Sequence, residues 1–94
     1  MILDIFQNVE QHRFETTVEG NLCVIDYRLE GRTLHLTHVG VPRPVGNRGI
    51  AAALTQSVLD WARAEGLQVA PDCPYVLAWI RRHRDYQILV RRPL

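Results

Sequence analysis

The hydrophobic periodicity of this chain changes once, at Pro42, and that change limits what the chain can become. Upstream, apolar residues recur at every second position; downstream, they recur at every third or fourth. A chain of 94 residues has material for a single core. A strand-forming half and a helix-forming half must therefore bury their apolar faces against each other.

Upstream, Arg32–Val41 alternates Leu34, Leu36 and His38 against Thr33, His35 and Thr37. That is the period of a half-buried strand, and it puts His38 on the leucine face. Leu22–Leu29 (LCVIDYRL) is rich in strand formers, and His12–Val18 alternates more loosely. Glu19-Gly20-Asn21 and Glu30-Gly31 supply the turns. Three strands joined so tightly form an antiparallel meander.

Downstream, Pro42–Asn47 is a loop by composition. Ile50, Ala53, Leu54, Val58, Trp61 and Ala62 then mark one face of a helix that ends at Glu65-Gly66, with glycine as its C′ residue. Leu67–Ala70 reads as a short strand, Pro71–Pro74 as a turn, and Tyr75–His83 as a second helix presenting Val76, Leu77, Trp79 and Ile80. Tyr86–Leu94 fits a helical turn followed by an extended end. The expected fold class is α+β: a β-β-β meander followed by α-β-α, a three-layer-like core in which helices pack on a mixed sheet. The crossover from Leu34–Val41 to Leu67–Ala70 is expected to be right-handed, making those strands parallel neighbours. Residues 1–94 are expected to form a single domain.

Composition narrows the function classes. Apolar residues make up 47%, charged residues 22%, and the net charge is +1, values that exclude disorder and name no charged partner. No apolar run approaches the roughly 18–20 residues that span a bilayer. The start, MILDIFQNVEQHRFE, lacks the pattern of a secretory signal. Cys23 and Cys73 make no disulfide framework, and no Cys/His spacing suits a metal. A reduced, cytoplasmic protein is expected, monomeric or weakly dimeric, without metal, membrane or nucleic acid.

Gly46-Asn47-Arg48-Gly49-Ile50-Ala51-Ala52 lies between the last meander strand and the helix. A helix start offers unpaired N–H groups and a partial positive charge. Small residues there let a diphosphate approach the backbone. Asn47 tolerates a left-handed conformation, and Arg43 and Arg48 add charge. A plain loop with a sterically required glycine explains the same residues.

The segment VPRPVGNRGIAAAL resembles the acetyl-CoA signature of the GNAT acetyltransferase superfamily, in which Arg/Gln-x-x-Gly-x-Gly/Ala opens a helix after a strand ending in Val-Pro. Gly49 and Ala51 match; Gly46 replaces the usual arginine or glutamine, and Asn47 a frequent glycine. The resemblance runs from about Phe14 to Val90 and is to minimal single-domain GNAT-like proteins. It includes Thr37-His38 before the Val-Pro, Pro71-Asp72-Cys73-Pro74-Tyr75-Val76, and Arg82-His83-Arg84-Asp85-Tyr86. It implies acetyl-CoA as cofactor, held by backbone groups of Val39 and Val41, by Gly46–Ala52, and by Arg43.

Acetyl transfer needs a nucleophile, donors for the thioester oxygen, and an acid for the departing thiolate. Cys73, at the end of the fourth strand, lies beside the implied thioester. It is either a reactive thiol or a small buried residue in a turn. His38, on the strand leading into the loop, is either its base or a hydrogen-bonded core histidine. Cys23 reads as core, and His12 and His35 as surface. Arg81 and Arg82 suit the 3′-phosphate of coenzyme A, or else a solvated helix end. Tyr75 and Tyr86 read as packing residues with a polar tip. Three functions compete: an N-acetyltransferase for an unknown small or macromolecular amine, an acetyl-CoA-binding module with little or no transfer, and a structural interaction domain.

Overall fold

The computed structural model describes residues 2–90. A five-stranded sheet runs in the order β1 (Phe6–Asn8), β2 (Arg13–Val18), β3 (Asn21–Glu30), β4 (Thr33–Gly40) and β5 (Gln68–Ala70). Helix α1 (Ile50–Ala64) joins β4 to β5, and α2 (Pro74–Arg82) follows β5. The first four strands are antiparallel in sequence, and β4 and β5 pair in parallel, Thr33 opposite Gln68 to His35 opposite Ala70. The meander, the parallel neighbours and the packed helices stand as the sequence leads one to expect. Strand β1 is an addition. At three residues it is too short for a periodic signal.

Local chemistry accounts for the joints. Glu19 and Gly20 both take positive φ, as a two-residue hairpin loop requires. Gly66, at φ 69°, closes α1: the Leu67 N–H donates to the Ala62 carbonyl and the Gly66 N–H to that of Arg63. The tail makes a helical turn over Arg84–Leu89, and Val90 then bridges Val69 in parallel.

One core joins the layers. Phe14, Cys23, Ile25, Tyr27, Leu34 and Leu36 project from one sheet face onto Leu54, Val58 and Leu59 of α1 and Val76 and Ile80 of α2. Trp61 of α1 packs between Phe14 and Tyr27, with ring centroids at 5.6 and 5.8 Å. The opposite face presents Phe6, Thr17, Leu22, Arg28 and His38 to solvent.

His38 corrects the alternation read from sequence. Tyr27 pairs with Leu36, but Asp26 pairs with His38, so Thr37 is an extra residue in β4. A bulge of one residue shifts every later side chain to the other face. Leu34 and Leu36 are fully buried and His38 is exposed on the far side, while Val39, opposite Ile25, packs against the core.

Candidate functional site

Strand β4 runs further than its neighbour. Its pairing with β5 ends at His35 and Ala70, and one more contact follows, the Cys73 N–H donating to the Leu36 carbonyl at 2.9 Å. Beyond Leu36 the chain after β5 turns away into α2. The edge of β4 from Thr37 to Gly40 faces a wedge into which no strand of the described residues enters. Backbone polar groups along such an edge need partners.

The loop after β4 is built to hold its shape. Arg43–Val45 forms a single helical turn, closed by the Gly46 N–H donating to the Arg43 carbonyl at 3.0 Å, and Val45 is fully buried. Asn47 and Gly49 both lie in the left-handed region, at φ 61° and 79°. Gly49 is the N-cap of α1. It offers no side chain to the first turn, which also contains no acidic residue. The first helical bond is the Ala53 N–H to the Gly49 carbonyl, at 3.0 Å. The N–H groups of Ile50, Ala51 and Ala52 therefore point outward without intrahelical partners, at the positive end of the helix dipole.

These groups open onto a cleft of about 200 Å³ lined by Val41, Gly46, Asn47, Gly49, Ile50, Ala51, Ala52 and Tyr75. Seven of the residues read from the sequence as cofactor-binding thus come together. Tyr75 is the residue the sequence reading placed elsewhere, as packing. It stands on the first turn of α2 and forms the far wall. Burial raises the pKa of its phenol, and the charge of Arg82, two turns further along α2, opposes that rise. The periodicity of a helix this short gave no means of telling its cleft face from its core face.

The other expected cofactor residues do not line the cleft. Val39 packs on the core side of β4. Arg43, Arg81 and Arg82 are exposed. Arg48 is engaged elsewhere: its guanidinium forms an ion pair with Glu19 in the β2–β3 turn and reaches the Pro44 carbonyl at 3.4 Å. The Arg48 hydrogen bond and charge lower the pKa of Glu19, and Glu19 raises that of Arg48.

Cys73 and His38 lie on opposite faces of the sheet. Cys73, 7% exposed, is the N-cap of α2 with its side chain in the core, and His38 lies on the open sheet face. Among the described residues no hydrogen bond joins them. Cys23 is fully buried, and burial raises the pKa of its thiol. His12 is exposed as expected; His35 is not a plain surface residue. Its Nδ1 lies 2.9 Å from Asp72 and its Nε2 3.4 Å from Glu30. Among the described residues no group of acidic, cysteine and histidine side chains is arranged to hold a metal.

A family model described as GCN5-related N-acetyl-transferase matches residues 13–89. The chain belongs to this family. Its GNAT fold also matches the solution NMR structure of a GCN5-like protein from Staphylococcus aureus, with a TM-score of 0.78 and 22% identity over 98% of this chain and 91% of that one. No curated protein matches the sequence significantly. Proteins of this family generally use acetyl-CoA, a cofactor with a long arm and a diphosphate. The backbone fits that group: free N–H donors, a glycine N-cap, and alanines at Ala51 and Ala52.

Proposed function

We propose that this chain binds acetyl-CoA in the Val41–Ala52 cleft and transfers its acetyl group to an amine. The reading rests on one observation above all: the start of α1 lies open and uncapped directly beside the unpaired half of β4. The first-turn N–H groups would hold the diphosphate, the β4 edge would hold the amide-bearing arm, and Arg81 and Arg82 would lie toward the 3′-phosphate. When bound, acetyl-CoA supplies a thioester whose carbonyl carbon an amine can attack.

The two candidate catalytic residues take separate roles on this reading. His38, on the open face, accepts the proton that the amine nitrogen loses as the new C–N bond forms. Cys73, whose N–H ties the chain to Leu36 where the wedge begins, donates its thiol proton to the sulfur released when the C–S bond breaks. It recovers that proton from solvent, to which His38 releases the one it took. Because no hydrogen bond links Cys73 to His38, a cysteine activated by that histidine is not the favoured route. The open sheet face suits a macromolecular or otherwise bulky amine. The same openness favours the competing reading, an acetyl-CoA-binding module without transfer, because among the described residues no element covers that face as a wall for an acceptor.

Calorimetry should detect acetyl-CoA binding in the micromolar range, about −8 kcal/mol. No heat at millimolar ligand would overturn the proposal. Incubation with acetyl-CoA and a lysine-bearing peptide, read by intact mass, then separates enzyme from module. An acetylated peptide that is lost with Cys73→Ala, at unchanged acetyl-CoA affinity, supports the enzyme. Binding without any acetylated product supports the module.

A further inference from the structure

The chain has six glycines, and four of them lie at positive φ, where a side chain would be strained. Gly46 closes the turn after Pro42, where an added Cβ would meet the Arg43 carbonyl at 3.4 Å. Gly40 has neither explanation. It is the last residue of β4, still paired opposite Val24, without a positive φ. A glycine at a paired strand position leaves room for another group to come close. A Cβ built on Gly40 would come within 3.0 Å of His38 Nε2, against an ordinary 3.5 Å from Val24.

We propose that Gly40 is the seat of the His38 imidazole: the missing side chain leaves a slot in the open sheet face into which the ring lies back. His38 and Gly40 are two residues apart on one strand, past the bulge at Thr37, so both project to the same face. Without the bulge both would point into the core. The bulge brings the histidine out, and the glycine then fixes where its Nε2 rests, beside the unpaired edge of β4. Gly40 touches no reacting atom on this account. It is a positioning residue, and the proposal rests on the reading of His38 as the base.

The test is Gly40→Ala, alone and combined with His38→Ala, in the full chain. The clash is with the end of a movable side chain, so Gly40→Ala should melt within a few degrees of the parent. NMR of the histidine rings should show the His38 Cε1–Hε1 signal shifted and more mobile in Gly40→Ala, with His12, His35 and His83 unchanged. An unmoved His38 signal overturns the proposal whatever the activity. Acetylation of a lysine-bearing peptide should slow at least tenfold in Gly40→Ala, with acetyl-CoA affinity within about twofold. Adding Gly40→Ala to His38→Ala should cost nothing further. Loss of acetyl-CoA affinity matching the loss of rate would give the glycine to the cofactor instead and overturn the seat. Full activity in His38→Ala would instead remove the base reading itself, a distinct result from an active Gly40→Ala beside an inactive His38→Ala.

Discussion

The two halves of β4 do different work. From Thr33 to Leu36 the strand is tied on both sides, to β3 and to β5 or the chain just after it, and Leu34 and Leu36 are fully buried. From Thr37 to Gly40 it is tied to β3 alone, and its side chains lie at least partly in solvent. Eight residues of one strand thus contain a structural segment and a segment held open, separated by a single inserted residue. A sheet can keep an unpaired edge inside it if the paired half is anchored well enough, because pairing on one side already fixes the backbone.

That contrast can be tested in order of expected effect. Leu36→Ala, in the anchored half, should cost about 2–5 kcal/mol of stability, read by denaturant unfolding; a negligible cost would mean that the anchor lies elsewhere. Gly49→Val acts on the open half through its cleft. The added Cβ meets no protein atom within 4 Å, but the residue sits at φ 79°. The folding cost should therefore be conformational, about 1–2 kcal/mol. Acetyl-CoA affinity should fall roughly a hundredfold, close to 2.7 kcal/mol. Equal losses would make the glycine a turn residue only.

Arg81→Ala with Arg82→Ala should weaken coenzyme A by about 0.2–1 kcal/mol, the range for exposed charge pairs. It should leave 3′-dephospho-coenzyme A unchanged, and identical losses for the two ligands would assign both arginines to solvent. The smallest effect concerns the loop's outer tie. Glu19 titrates below the ordinary 4.5 because Arg48 stabilises its carboxylate. The pair therefore adds stability above pH 4.5, and that contribution disappears as pH falls through the lower, folded-state value. Glu19→Gln should melt slightly below the parent at pH 7, and the two curves should converge in acid. A gap that persists in acid would assign the effect to something other than charge.

Much of the architecture was readable from the residues because it is periodic. Leu34 and Leu36 announce a strand, Ile50 through Ala62 a helix, and Gly66 its end. The loop at Gly46–Ala52 was readable as a helix entry from its glycines and asparagine, and as a candidate cofactor site only through the family resemblance. The bulge was not. Thr37 has no Gly or Pro beside it, and one extra residue leaves the local alternation intact while reversing everything after it. Partnerships between distant residues were equally hidden: Arg48 meets Glu19 across 29 positions, and His35 meets Asp72 across 37. Tyr75 was missed for a related reason, since only the packing of α2 against the start of α1 turns it into a wall.

The bridge between Val90 and Val69 has a consequence for how these molecules behave in company. A sheet's outer strands invite pairing with other chains. Here both borders are cut to three residues, Phe6–Asn8 on one side and Gln68–Ala70 on the other, and the second is overlaid by the returning tail. A copy ending before Val90 would leave the backbone of Val69 without that partner, and such molecules should join edge to edge more readily than the intact chain.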